Sequence, residues 1–286
     1  MASRWVVLLL AAAMSVHAAD RGLSAGRSAH RLVLHDQADD HVNYLLYVPQ
    51  GNPPARGWPT ILFLHGSEQR GDNPSMLEDL AILAFADRVG GLPFVAILPQ
   101  CPRGEHWTPG VLRQVLEAVE GALPVDRGRV YLTGFSMGGY GTWQTAAAMP
   151  GVFAAIAPLC GLADLQDVPR LVGIPAWVFH GARDRNVPLS ESVKMVDALR
   201  RDGGHPDFTV YPDREHDIWT MTYRDSRLYL WFLSHSLPGA VPGGSEASGG
   251  DSTASPAGVS PAASGRVSGD SRIAASSASS DALLDR

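Results

Sequence analysis

The segment Val130-Tyr-Leu-Thr-Gly-Phe-Ser136-Met-Gly-Gly-Tyr-Gly-Thr-Trp143 decides how this sequence folds. Its first residues, 130–133, form an apolar run typical of a buried strand, and residues 137–149 have helical character. Between them lies the pattern Gly134-x-Ser136-x-Gly138. Glycines are needed there because side chains at a sharp strand-to-helix turn would collide with the neighbouring strand and helix. The segment therefore predicts a strand, a strained turn that exposes Ser136, and a helix.

On both sides of this segment, short β-rich runs are mostly separated by helical stretches. Several runs, such as Ile61-Leu-Phe-Leu64 and Val95-Ala-Ile-Leu98, are continuously apolar, as expected of strands covered on both faces. After two leading strands, strand and helix alternate. The pattern predicts an α/β domain over residues 28–237, built on a doubly wound, mostly parallel eight-stranded sheet with helices on both faces. The predicted strands are 30–34, 43–48, 60–64, 94–98, 130–133, 154–157, 176–179 and 208–211, and the predicted helices are 75–89, 109–122, 137–149, 188–202 and 218–235.

The composition of the chain excludes several classes of protein. Of its 286 residues, 45% are hydrophobic and 18% are charged, which suits a globular core and not a disordered chain. The formal net charge is −6 and there is no run rich in Lys or Arg, so nucleic acid is not an expected partner. Two cysteines exclude a disulfide-rich scaffold. The sequence has no P-loop, no G-x-G-x-x-G and no H-E-x-x-H pattern, so we expect neither a cofactor nor a metal.

The two ends of the chain differ from the core. Residues 1–18 combine a short basic leader, an apolar run and a small-residue cleavage pattern, which predicts a signal peptide. The apolar run, about 18 Å long as a helix, is too short to span a ~30 Å hydrocarbon core, so we expect an exported protein, periplasmic or secreted, with no stable membrane anchor after cleavage. Residues 239–286 are rich in Ser, Ala, Gly and Pro and lack aromatic residues, which predicts a disordered tail.

Polar side chains follow the predicted strands, at the edge of the sheet where ligands bind in such folds. A serine nucleophile needs a base, and the base needs an acid to orient it. In sheets of this kind the chain order is serine, then acid, then histidine. His216 directly follows the last strand and is the predicted base, and Asp184 follows the seventh strand and is the predicted acid. The alternatives are His180, His205 and His235 for the base, and Asp213 and Asp217 for the acid.

Acyl transfer also needs donors for the oxyanion of the tetrahedral intermediate. The backbone N–H of Met137, which follows the nucleophile, is one predicted donor. The second is expected in the loop after the third strand, where Gly66 permits a close approach; we favour the N–H of Ser67, with that of Glu68 as the alternative. His65, at the start of that loop, is expected to be structural.

Two cysteines and two tryptophans lie near the same edge. Cys101 and Cys160 both follow strands, and export would permit a disulfide. In the usual strand order, two other strands separate theirs, about 14 Å at ~4.8 Å per step, so the pairing stays open. Trp107 and Trp219 are candidates for the wall of a substrate cleft, with core packing as the alternative.

Taken together, these stretches resemble the serine esterases of the α/β-hydrolase superfamily. Within it, the chain is most similar to the small bacterial "predicted peptidase" or phospholipase/carboxylesterase group, related to polyhydroxybutyrate depolymerases and feruloyl esterases. The resemblance covers about residues 43–232 and implies an α/β-hydrolase fold with Ser136, Asp184 and His216 as the triad. One departure is visible, because Glu68 and Gln69 stand where such sequences often read Gly and Glu. The matching stretches are Trp58-Pro-Thr-Ile-Leu-Phe-Leu-His65-Gly66, Leu98-Pro-Gln-Cys101-Pro, Val130 to Trp143, Val178-Phe-His-Gly-Ala-Arg-Asp184 and His216-Asp-Ile-Trp219.

The expected function is an exported carboxylic ester hydrolase that forms an acyl-enzyme on Ser136. Its expected partner is a small-molecule or polymer-derived ester. One alternative is a small serine peptidase of the prolyl-oligopeptidase type, although a core of this size has no room for that family's propeller domain. A non-catalytic binding module with the same fold is a further alternative, against which the complete set of triad residues argues.

Overall fold

The computed structural model of the protein describes residues 23–35, 40–162 and 164–239. The predicted signal peptide, residues 1–18, lies outside the described residues, as does the predicted tail beyond Gly239. Within the described ranges, no helix has both the length and the apolar character needed to cross a membrane.

The described residues form one eight-stranded sheet with the order β1-β2-β4-β3-β5-β6-β7-β8. Strand β1 pairs antiparallel with β2, and β2 pairs antiparallel with β4. Every other neighbouring pair is parallel. The predicted doubly wound, mostly parallel sheet is confirmed. Its strands are β1 (Gly26–Val33), β2 (His41–Val48), β3 (Trp58–Leu64), β4 (Val95–Pro99), β5 (Val125–Phe135), β6 (Ala155–Leu159), β7 (Trp177–Gly181) and β8 (Asp207–Tyr211).

Helices cover both faces of this sheet, as predicted. Alternate residues of each central strand point to opposite faces, so that in β3 Leu62 and Leu64 join one apolar cluster while Ile61 and Phe63 join the other. The first cluster packs α2, α3, α4 and α5 against the sheet, and the second packs α1, α6 and α7. The helices are α1 (Ala81–Val89), α2 (Pro109–Ala122), α3 (Met137–Ala148), α4 (Val168–Leu171), α5 (Leu189–Arg201), α6 (Trp219–Tyr223) and α7 (Ser226–Leu233).

Some helical stretches differ from the sequence-based prediction. The predicted helix 75–89 is a short 3₁₀ turn, Pro74–Leu77, followed by α1. The predicted helix 218–235 is divided into α6 and α7, because the Asp225 side chain accepts a hydrogen bond from the Arg227 N–H and starts a new helix. Helix α4 was not predicted, since four residues that include a proline show no helical period.

The parallel strands bring their carboxyl ends to a single edge of the sheet. Ser136 follows β5, Asp184 follows β7 and His216 follows β8. Cys101 and Cys160 follow β4 and β6, which β3 and β5 separate, and both thiols are free. The disulfide that the sequence left open is therefore absent between these two residues.

Candidate active site

Ser136 occupies a strained turn between β5 and α3. Its backbone has φ 55° and ψ −119°, in the positive-φ region that residues with a side chain rarely adopt. The flanking glycines are required by contact: a Cβ at Gly134 would collide with the Gly138 backbone, and one at Gly138 would overlap the Leu64 carbonyl. The Ser136 N–H donates to the Leu159 carbonyl oxygen at 2.9 Å, which ties the turn to β6. The predicted elbow geometry is present, and it holds the serine hydroxyl clear of its own strand.

His216 links Ser136 to Asp184. Its Nε2 lies 2.9 Å from the Ser136 Oγ, and its Nδ1 lies 2.7 Å from the Asp184 Oδ2. A carboxylate can only accept, so Nδ1–H donates to Asp184 and Nε2 is left to accept the serine hydroxyl hydrogen; this tautomer is inferred from the partners. The ring is oriented to remove a proton from Ser136.

The Asp184 carboxylate is fully buried and fully hydrogen-bonded. Its Oδ1 accepts the backbone N–H groups of Asn186 and Val187, both at 2.9 Å. Burial alone would raise the pKa of Asp184, but hydrogen bonds from His180, His216 and the Val187 N–H outweigh it and hold that pKa well below the usual aspartate range. Asp184 is therefore an ionised acceptor opposite His216.

A cleft of about 560 Å³, open solvent included, lies over Ser136 and His216. Trp219 forms part of its wall: its indole stacks on Phe135 with ring centroids 4.6 Å apart and meets the His216 ring edge-on at 5.8 Å. The cleft is lined by Gly66, Ser67, Glu68, Gln69, Phe135, Ser136, Met137, Asn186, Val187, His216 and Trp219.

Residues at the starts of two helices line this cleft. Met137 is the first residue of α3, and Ser67 is the first residue of the 3₁₀ helix Ser67–Gln69. The first N–H groups of a helix have no partner within the helix and are available to an anion. Gly66 approaches closely, since a Cβ there would lie 2.7 Å from the Phe135 ring. Glu68 also lines the cleft, so both residues predicted as the second donor lie there.

His65 lies beneath the same loop. Its ring is completely buried, its Nε2 accepts the Cys101 N–H at 3.0 Å, and its Nδ1 donates to the Gly66 carbonyl at 2.6 Å. Burial lowers the pKa of His65 to about 4, so the ring is neutral. These contacts fit the expected structural role.

Trp107 does not line the cleft over Ser136. Its side chain is buried, its Nε1 donates to the His65 carbonyl at 3.2 Å, and it fills the space above Gly141 of α3. It contributes to a separate pocket beside Cys101 and Leu112. Of the two candidate tryptophans, the structure places only Trp219 at the cleft.

Cys160, Asp184 and His216 offer three ligand atoms within 4.8 Å of one another, the one such group found among the described residues. Burial, followed by the nearby Asp184, raises the pKa of the Cys160 thiol well above its usual value. A protonated thiol is a poor metal ligand. The other two groups are already bonded to each other, so the arrangement suits proton transfer better than metal binding.

His180 is the residue at this site whose contact the sequence-based reasoning missed. It precedes Asp184 by four residues, and its Nε2 lies 3.3 Å from the Asp184 Oδ2. Chain order argues against His180 as the base, because it precedes the acid, and the hydrogen bond to Ser136 comes from His216. The spacing His180-Gly-Ala-Arg-Asp184 was the signal that could have placed it next to the acid.

Known proteins resemble this chain over most of the described region. A model of the prolyl oligopeptidase family matches residues 172–237, which contain Asp184 and His216 and not Ser136. A poly(3-hydroxyoctanoate) depolymerase from Pseudomonas fluorescens is 27% identical over 222 residues, covering 65% of this chain and 77% of that protein.

Solved structures share the architecture. A thermostable esterase aligns with a TM-score of 0.66 and 28% identity, covering 73% of this chain and 63% of its own. This chain therefore spans slightly less than two thirds of that esterase. An S-formylglutathione hydrolase from Staphylococcus aureus aligns with a TM-score of 0.57 and 17% identity over 73% of this chain and 100% of its own, a likeness of fold alone.

The sheet order and these likenesses define the class of the protein: it is a hydrolase with the α/β-hydrolase fold. The predicted resemblance to the serine esterases of the α/β-hydrolase superfamily is confirmed.

Proposed function

We propose that the protein is an exported serine carboxylic ester hydrolase in which Ser136, His216 and Asp184 act as a catalytic triad. One observation carries the proposal. An unbroken chain of hydrogen bonds, 2.9 Å and then 2.7 Å long, runs from the Ser136 hydroxyl through His216 to the Asp184 carboxylate. It starts at a strained turn that faces the cleft.

In the first half of the reaction, His216 Nε2 takes the hydroxyl proton as the Ser136 Oγ forms a bond to the ester carbonyl carbon. The carbonyl oxygen becomes an oxyanion, which accepts hydrogen bonds from the N–H of Met137 and that of Ser67 or Glu68. When the tetrahedral intermediate collapses, the bond to the leaving alcohol breaks and protonated His216 gives its proton to that oxygen. The acyl group remains on Ser136 as an ester.

Water completes the cycle by the same steps. His216 removes a proton from water as its oxygen attacks the acyl carbon, and the imidazolium returns that proton to the Ser136 Oγ as the acid leaves. Ionised Asp184 stabilises the positive charge that His216 carries in both halves.

We expect the cleft to receive the acyl or alcohol part of a small ester, or one end of a polymer. Its lining combines the stacked pair Phe135 and Trp219 with the polar side chains of Glu68, Gln69 and Asn186. A polyester depolymerase among the relatives supports an ester of a small molecule or of a polymer as the substrate class.

A small serine peptidase is the second candidate, and the match of residues 172–237 to the prolyl oligopeptidase family favours it. An amine is a poorer leaving group than an alcohol, and a peptidase draws on binding energy from remote parts of its substrate. The described residues form a single sheet with its covering helices and show no second domain that could supply this binding. We therefore place the esterase first.

A direct comparison tests the choice. A chain-length series of p-nitrophenyl esters is assayed beside a matched amide and a peptide, with Ser136→Ala as the control for contaminating esterase. We expect kcat/KM on a short acyl ester to exceed that on the matched amide by about three orders of magnitude, roughly 4 kcal/mol. Comparable efficiency on the peptide would favour the peptidase. No turnover of either substrate would favour the third alternative, a non-catalytic binding module.

The proposed export rests on residues 1–18 alone. Cleavage after Ala18 should leave Ala19 as the first residue of the mature chain, followed by the catalytic domain, residues 28–237, and the tail, residues 239–286. N-terminal sequencing of protein recovered from the periplasm or medium tests this, and an intact residue 1 in the exported protein would contradict it.

A further inference from the structure

We propose that His180 is a positioning residue that holds the Asp184 carboxylate and its loop in the geometry that His216 needs. The inference rests on the proposed function, because it concerns the acid of that triad. It adds a buried histidine that touches neither the cleft nor Ser136.

His180 lies near the end of β7 with no exposed surface, and both of its ring nitrogens have hydrogen-bond partners. Its Nε2 lies 2.9 Å from the Val187 carbonyl oxygen and 3.3 Å from the Asp184 Oδ2. Its Nδ1 lies 2.7 Å from the Ser192 Oγ of α5. The ring therefore joins a strand, the Asp184 loop and a helix.

The two acceptors at Nε2 fix which nitrogen carries the hydrogen. A carbonyl oxygen and an ionised carboxylate both require a donor, so Nε2 carries the hydrogen and shares it between Val187 and Asp184. Ser192 then donates its hydroxyl hydrogen to Nδ1, an assignment inferred from the partners of the ring. The Ser192 contact thus selects the tautomer that faces Asp184.

The contacts of Val187 complete a cycle of hydrogen-bonding partners around the Asp184 carboxylate. Val187 gives its N–H to Asp184 Oδ1 and its carbonyl accepts from His180, which in turn faces Asp184 Oδ2. Each carboxylate oxygen is therefore held from two directions, Oδ1 by two backbone N–H groups and Oδ2 by two histidines. Without the His180 donor, both Oδ2 and the Val187 carbonyl lose a partner, and Asp184 can rotate away from His216.

Two substitutions at His180 distinguish the effect of its hydrogen-bond donor from the effect of its side-chain volume. His180→Leu keeps most of the volume and removes the donor, whereas His180→Gln keeps an N–H donor and an acceptor. We expect His180→Leu to lower kcat on a p-nitrophenyl ester about 10- to 100-fold with KM within about two-fold, as for the loss of one hydrogen bond to a charged group. We expect His180→Gln to recover most of that loss.

Ser192→Ala tests the same positioning role through the partner of Nδ1 and leaves His180 in place. It should lower kcat by less than His180→Leu, since the donor remains but its tautomer is no longer selected.

The matched control is His30→Gln. His30 is also bonded to a serine, with its Nε2 2.7 Å from the Ser28 Oγ, but it lies on edge strand β1. We expect no change in its kinetics.

A double-mutant cycle with Asp184→Ala distinguishes positioning from general damage. If His180 acts through Asp184, His180→Leu should change the residual kcat of Asp184→Ala by less than about two-fold. An equal loss in both backgrounds would overturn the proposal, as would a rise in KM in place of a fall in kcat. Thermal unfolding confirms that each variant is folded, and if His180→Leu does not fold, Ser192→Ala takes its place in the cycle.

The failure of this inference is distinguishable from the failure of the proposed function. Full activity of Ser136→Ala would reject the proposed triad itself. An inactive Ser136→Ala beside fully active His180→Leu would leave the triad intact and reject only the role of His180.

Discussion

The ring of Trp219 stacks on that of Phe135, with centroids 4.6 Å apart and planes inclined by 23°. Phe135 is the last residue of β5, directly before Ser136, and Trp219 begins α6, three residues after His216. The pair connects the strand that carries the proposed nucleophile to the segment that carries the proposed base, and it forms one wall of the cleft.

Trp219→Ala should therefore lower kcat/KM on a p-nitrophenyl ester about 10-fold and destabilise the fold by about 1–3 kcal/mol, because it removes an aromatic pair and loosens the His216 segment. Trp219→Phe retains a ring and serves as the control, with most of both quantities preserved. Steady-state kinetics and urea unfolding measure the two effects. Unchanged kinetics in Trp219→Ala would show that the pair does not position His216.

Ser136→Ala and His216→Ala should each lower kcat by at least about 10³-fold while the fold survives, because triad residues act as a unit. The double variant should be little worse than either single variant. Far-ultraviolet circular dichroism checks the fold, and kcat is measured in all three variants. Additive losses in the double variant would show that Ser136 and His216 act independently.

Gly138→Ala should severely destabilise the protein, because its Cβ would overlap the Leu64 carbonyl oxygen of β3 in a fully packed region. We expect a loss of at least about 3 kcal/mol or a failure to fold. Gly121→Ala is the matched control: Gly121 lies at an exposed position of α2, where a Cβ meets no atom within 4 Å, and the substitution should stabilise the protein by about 0.5–1 kcal/mol. Equal stability of the two variants would contradict the close packing of the elbow.

The stability of the protein should fall below neutral pH partly because of His65. Burial lowers the pKa of His65 to about 4 in the folded state, against 6.5 for the free side chain. Between these values the unfolded chain binds the proton and the folded chain does not, so the free energy of unfolding falls as pH drops from about 6.5 to about 4. The full contribution is on the order of 3 kcal/mol.

Urea unfolding of wild type and His65→Gln at pH 7.5 and pH 4.5 measures this contribution. The glutamine keeps an acceptor for the Cys101 N–H and takes up no proton, so the variant should lose less stability between the two pH values than wild type does. An identical pH dependence in the two proteins would show that His65 is not the group responsible.

Removal of residues 238–286 should leave the thermal midpoint and kcat nearly unchanged, because this composition offers little apolar surface to bury. The cut retains Leu237, whose N–H donates to the Gly128 carbonyl at 2.9 Å. A fall of several degrees in Tm would show that the removed segment packs on the domain.

The sequence predicted all eight strands, and six of them, β2 to β7, carry the buried apolar residues that the interior of a sheet requires. The chain order of Ser136, Asp184 and His216 placed them after β5, β7 and β8, and the parallel sheet then brings them to one edge. Local pattern and topology were sufficient for these residues.

Side-chain direction in the loops could not be predicted in this way. Trp107 lies in a segment without periodicity, and its orientation depends on a hydrogen bond to His65 and on the space above Gly141, both distant in sequence. The contact of His180 with Ser192 could not be predicted for a related reason. Ser192 lies on another element, and only the packing of α5 on β7 brings the two together.

Because β3 and β6 both hold the Ser136 turn, the turn should not unfold locally. The turn is tied to β6 through the Leu159 carbonyl and packs against β3 through Gly138, so its amide is protected at the centre of the sheet. Amides of this kind exchange with solvent only when the whole domain unfolds. The Ser136 amide should thus be among the slowest to exchange, and activity on heating should vanish together with tertiary structure and not before it.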